Sequence, residues 1–190
     1  MCTKCATTPA FDWFQADPHV PITQRPTLSM TARSLIRLVL CLALCLGVGF
    51  TAGIVTTPEI PTWYASLTKP SWTPPNWAFP VVWNILYALM GVSLWLLWDR
   101  FDDPIAARKA IALFFVQLAL NFVWSPVFFW LHRPVEALFI IALLAVAIAA
   151  TIAFALKAQR TAGLLLIPYL AWVTYATTLN AGIVALNPSL

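Results

Sequence analysis

Charge is scarce in this chain. Asp, Glu, Lys and Arg make up 9% of its 190 residues, where a soluble domain carries about a quarter. So few charges cannot cover a water-facing surface, which excludes the ordinary soluble class. The net charge of +4 is small and scattered. It forms no basic face of the kind that holds nucleic acid, so none is expected as a partner. Catalytic signatures are also missing. No HExxH, no GxSxG and no phosphate-cradling glycine loop occurs. No Asp/Glu pair lies inside an apolar run, as a proton-driven transporter would need. Cysteine is limited to four. Cys2 and Cys5 form a CxxC with no second ligand pair, so no metal site is expected. Ala6, not His, follows Cys5, which rules out c-type haem attachment. Cys41 and Cys45 are four apart in an apolar segment and read as small packing residues.

What is abundant is apolar sequence, at 61%. Residues 1–32 form a polar, proline-containing tail without apolar periodicity, expected to be disordered. The tail reads equally as an appendage or as a mis-set start, with Met30 the alternative first residue. Five charge-free stretches follow: Leu38–Pro58, Pro70–Trp98, Ala110–Leu131, Ala137–Leu156 and Thr161 to the C-terminus. Each holds the roughly 20 residues that one membrane crossing needs, and none holds two. Lipid offers no partner to a free backbone group, so each must be a closed helix. The fold class expected is an all-α membrane protein, a single bundle of five transmembrane helices over residues 33–190. Pro126 and Pro168 should kink helices three and five. Gly49 and Gly53 form a GxxxG that suits close helix approach, expected within the bundle rather than in a dimer. Lys and Arg divide nine to two between the two sides, which puts the N-terminus in the cytoplasm.

One connection stands apart. Thr62–Trp83, between helices one and two, contains Trp63, Trp72, Trp77 and Trp83 with Tyr64, and four prolines break it. Lys69 is its only charge. A loop this aromatic should pack as a cap on the bundle, with Trp63, Tyr64, Lys69, Trp72 and Trp77 facing the mouth. Lys69 would meet a ligand carboxylate or a lipid phosphate.

Polar groups at membrane depth are expensive, so each is a candidate for function. Gln117 and Asn121 share a helix face, which Trp124 and Ser125 extend. Tyr169, Trp172 and Ala176 line one face of the fifth helix, with Asn180 a turn further. Trp83 and Tyr87 are four apart in the second. Together they describe an aromatic-walled pocket for a flat, mostly apolar ligand. Each residue alone also has a structural explanation, since Trp and Tyr anchor at interfaces and amides bridge helices. Asp99, Asp102 and Asp103 read as a solvated turn, His132 and Arg133 as interface anchors. Glu136 reads as a helix-start carboxylate.

The blocks WYASLTKPSWTPPNWAFPVVW, LYALMG, QLALNFVWSPVFF and PYLAWVTYATTLN resemble the signature of the TspO/MBR family. Its members are also called tryptophan-rich sensory proteins, translocator proteins or peripheral-type benzodiazepine receptors. The resemblance covers about Leu38 to Asn187. It implies binding of porphyrin or haem-like tetrapyrroles, with no required cofactor, and a role in transport or in stress and oxygen sensing. It implies a homodimer in some members, and a bacterial cell membrane as host, the outer membrane remaining open. Trp83, Asn121, Trp172, Ala176 and Asn180 are the pocket positions it carries over. In a light-dependent porphyrin-degrading alternative, Trp83 and Trp172 would be the redox-active aromatics. A structural or interaction role, with membrane lipid as the main partner, is the third class. The C-terminal AGIVALNPSL lacks the Tyr followed by Lys or Arg of sterol-binding relatives, which counts against sterol. Glu136 falls near a position that is aromatic in some relatives.

Overall fold

A computed structural model describes residues 31–188. The polar tail, apart from its last two residues, and the Cys2–Cys5 pair lie outside the described residues. Within them the chain is all helical: α1 Ala32–Thr56, α2 Trp63–Ser66, α3 Ala78–Asp99, α4 Pro104–Ser125, α5 Pro134–Ala158, α6 Arg160–Leu165 and α7 Ile167–Leu186. A 3₁₀ turn, Thr57–Glu59, extends α1, and a π-helical turn, Pro126–Trp130, extends α4. These elements make five spans long and apolar enough to cross a membrane. The chain is an integral, multi-pass membrane protein.

Three helices, α1, α4 and α6, start where a side chain satisfies free backbone donors. Thr31 accepts from the Ser34 amide, and Asp103 accepts from the amides of Ile105 and Ala106 at 2.8 and 3.0 Å. Gln159 accepts from the Ala162 amide at 2.6 Å. Pro104 and Pro134 occupy first helical positions, where a missing N–H costs nothing. The two expected kinks take different forms. Pro126 opens the π-turn, in which the Leu131 amide reaches back five residues to the Pro126 carbonyl. Pro168 has no N–H for its own helix, and the fifth span breaks just before it, between α6 and α7.

The spans close into a ring. α1 packs on α3, α4 on both α5 and α1, and α5 on α6 and α7. α3 meets the fifth span chiefly through α6. The ring is therefore tight at the end rich in Lys and Arg, the basic end. Gly91 lets α1 close in: a Cβ there would stand 2.9 Å from Leu42 Cα. Gly49 takes the ring of Tyr87 against its backbone. The outer surface of the ring is apolar and exposed, as at Leu35, Val39, Leu40, Phe139, Leu143 and Val146. That is the surface a helix shows to hydrocarbon.

Several polar residues differ from their expected settings. Asp99 is not in a solvated turn. Its carboxylate accepts from Ser34 Oγ at 2.5 Å and from Arg37 Nη1 at 2.7 Å, latching α3 to α1. Trp95 Nε1 donates to the same Ser34 oxygen. His132 is more than an anchor. Held at a left-handed φ of 54°, it stacks on Trp63 at 4.3 Å and places Nε2 3.1 Å from Glu59 Oε2. It thereby ties the end of the π-turn to the end of α1. Glu136 does begin a helix, and it meets Arg133 on an exposed surface.

The first loop is pinned to the bundle at further points. The Thr68 amide donates to Asn187 Oδ1 at 3.0 Å, and Asn187 Nδ2 donates back to the Thr68 carbonyl at 2.9 Å. The Tyr175 hydroxyl donates to the Trp72 carbonyl at 2.6 Å. Gly182 leaves room for Pro70 and Trp72 to lie on α7.

Candidate functional site

The loop end of the ring encloses a cavity of about 720 Å³. That is the size range of sites for drug-sized ligands. α1, α3, the α4 π-turn region, α7 and part of the loop contribute to it. Its wall is aromatic: Tyr64, Phe79, Trp83, Trp124, Phe128, Phe129 and Trp172. Among the described residues, none that lines it is charged.

The floor is a buried hydrogen-bond relay. The Tyr87 hydroxyl donates to Asn121 Oδ1 at 2.5 Å, and Asn121 Nδ2 donates to the Tyr169 hydroxyl at 3.0 Å. One amide thus joins α3, α4 and α7. Trp83 lies on this floor, its ring 5.5 Å from Tyr87 and 6.2 Å from Tyr169. The far wall is fixed in the same way. Trp124 Nε1 donates to Asn180 Oδ1 at 3.3 Å, and Asn180 Nδ2 donates to the Pro134 carbonyl at 2.8 Å. Trp172 differs. It leans edge-on to Phe79 at 6.0 Å, and its buried Nε1 meets no partner among the described residues.

Seven of the nine expected pocket residues line the cavity: Trp83, Tyr87, Asn121, Trp124, Trp172, Ala176 and Asn180. Tyr169 stands behind the floor, fully buried, and acts through Asn121. Gln117 is not in the lining. It is buried one turn beyond Asn121, with neither amide atom partnered among the described residues.

Of the expected cap residues only Tyr64 reaches the cavity. Burial pushes its phenol above the ordinary value, so it stays neutral. Lys69 does not point into the cavity. Its Nζ lies 4.7 Å from the centre of the Tyr64 ring and donates to the Leu67 carbonyl. Trp63 packs on His132 and Phe128 behind the wall. Trp72 and Trp77 are exposed on the outside.

Lining residues absent from the expectation include Gly53, Phe50, Phe79, Asn84, Phe128 and Phe129. Asn84 carried a usable signal, since it is an amide at membrane depth beside Trp83. Phe128 and Phe129 carried none, because the π-turn changes the helical phase that brings them inward.

Comparison with known proteins identifies the family. The TspO/MBR family profile matches residues 41–186. Tryptophan-rich protein TspO of Chlorobaculum tepidum is 41% identical over 157 residues, 82% of this chain and 99% of that protein. The tryptophan-rich sensory protein of Cereibacter sphaeroides is 38% identical over 77% of this chain and 88% of its own length. The human translocator protein is 41% identical over 62% of this chain and 70% of its own. A profile match through all five spans, with whole-length similarity at this identity, places the chain in the TspO/MBR family.

Proposed function

We propose that this membrane protein binds a flat, largely apolar tetrapyrrole such as protoporphyrin in the loop-end cavity, and serves a regulatory or transport role. The observation that carries the reading is the cavity itself: about 720 Å³, aromatic on several sides and, among the described residues, free of charged lining. Stacking on Trp83 and Trp172 would hold a macrocycle, and the few amides would orient it. With no cation in the lining among the described residues, acidic side arms would lie toward the loop end, nearest water, rather than the floor. Relatives named as sensory and translocator proteins support the regulatory or transport part. The bacterial cell membrane is the host we favour. Gly49 gives no support to a dimer seam, because Tyr87 of the same chain occupies its open side.

Titration of protoporphyrin IX into the purified protein, read by tryptophan fluorescence, tests the reading. Saturable quenching is expected. Trp83→Leu combined with Trp172→Leu should weaken it by about tenfold, the worth of two lost aromatic contacts. Unchanged affinity in the double variant would remove the assigned pocket.

A second reading, light-driven porphyrin breakdown, is favoured by one arrangement. Trp83 touches Tyr87 and Tyr169, so an oxidised indole would have two phenols beside it. Loss of porphyrin under light and oxygen at the same rate with denatured protein would end that reading.

A further inference from the structure

The lining of the cavity is unevenly exposed. On α4 and α7 its residues are buried or half-buried. On α1 and at the start of α3 it includes exposed residues: Phe50 at 72%, Ile54 at 58%, and Pro80 and Asn84. A side chain that lines a cavity and is also exposed marks the opening. Thr57 and Asn76, also exposed, mark its loop end, so the opening runs along the seam between α1 and α3 from there down to Phe50 and Asn84.

The seam changes character along its length. Toward the basic end it is shut, by Gly91 on Leu42 and by Gly49 on Tyr87. At Gly53 it is open, and a Cβ there would meet nothing within 4 Å. The deeper part of the opening, at Phe50, Ile54, Pro80 and Asn84, lies within the membrane spans. At 1.5 Å per residue, Phe50 sits about 13 Å along the helix from Glu59, and Asn84 about 9 Å from the start of α3. By contrast, the loop above the cavity is tied down by the Thr68–Asn187 pair, the Tyr175–Trp72 bond and the Glu59–His132 contact.

We propose that the ligand reaches the cavity sideways from the bilayer, through a portal between α1 and α3 at Gly53, with Asn84 as its polar threshold. The ligand class is thus a molecule dissolved in the membrane rather than one arriving from water. Asn84 explains itself in this role. Its Nδ2 is taken by the Pro80 carbonyl at 2.8 Å, which leaves Oδ1 to accept from an N–H or O–H passing the seam. An exposed amide in a membrane helix otherwise has a cost and no return. Gly53 supplies the gap.

The proposal rests on the tetrapyrrole-binding reading, and the test separates the two. Association and dissociation of protoporphyrin IX are measured by stopped-flow tryptophan quenching, with the protein in phosphatidylcholine nanodiscs. Gly53→Trp fills the portal. Gly47→Trp is its control, since Gly47 also has open space around it but is not in the cavity lining. Gly53→Trp should slow both rates by about tenfold or more relative to the control. Asn187→Ala with Tyr175→Phe, which removes the loop's hydrogen bonds to α7 and the residue after it, should leave both rates within about twofold. Equal rates in Gly53→Trp and Gly47→Trp would overturn the portal while leaving binding intact. So would a marked acceleration in the loop-release variant. Absence of saturable quenching in the unmodified protein would instead sink the binding reading, and the portal with it.

Discussion

The two halves of this bundle are built from the same spans and behave as different materials. At the basic end the helices touch. Met90, Leu97, Phe114, Leu144, Ile148 and Leu166 are almost wholly buried there, and Ser93 donates across to the Ala162 carbonyl. At the loop end the same spans stand apart around a cavity, and aromatic rings hold them off one another. Glycine marks the contrast. Gly91 is a contact point, and Gly53 is an opening. The difference shows what each half is for: one fixes the ring, and the other leaves room inside it.

The largest effect should come from exchanging those roles. Gly91→Leu forces a side chain into the Leu42 backbone, which has nowhere to go. Overpacking of this kind costs about 3 kcal/mol or more. Gly53→Leu, which meets open space, should cost little. Thermal unfolding in detergent compares them. Equal losses in the two would erase the distinction between a sealed and an open half.

The floor that divides the halves comes next. Asn121→Leu strands two buried phenols, Tyr87 and Tyr169. We expect a loss of about 1–2 kcal/mol, since membrane hydrogen bonds are worth less than isolation would suggest. Adding Tyr87→Phe and Tyr169→Phe removes the stranded groups with their partner and should recover part of that loss. A triple variant less stable than Asn121→Leu would show that the relay is not what holds the floor.

Much of this was legible in the residues. Membrane spans declare themselves by length and missing charge, and residues four apart share a face whatever packs against them. That logic is enough for Trp83 with Tyr87, and for Trp172 with Ala176. It is not enough for depth. Gln117 shares the Asn121 face, yet the relay closes the floor one turn short of it. Nor does an aromatic composition give direction: Tyr64 turns inward, while Trp72 and Trp77 face out. The partners of Asp99 and His132 were also out of reach. Ser34 is 65 residues from Asp99, and Glu59 is 73 from His132. Only the closed ring brings them together.

The smallest effects should be found among the contacts that hold the loop. His132→Ala removes an aromatic stack on Trp63 and a pair with Glu59, while keeping a side chain at a left-handed φ of 54°. The stack is worth about 0.5–1.5 kcal/mol and an exposed pair 0–1, so a loss of about 1 kcal/mol is expected. His132→Gly loses the same contacts but relieves the backbone, whose left-handed cost of about 1 kcal/mol falls away. It should therefore be close to neutral. The order Gly above Ala in thermal unfolding would show that His132 stores strain that its contacts offset. Ala equal to Gly would deny the strain. A loss in either as large as that of Gly91→Leu would mean that the loop end supports the ring as firmly as the basic end does, and the contrast between the halves would fail.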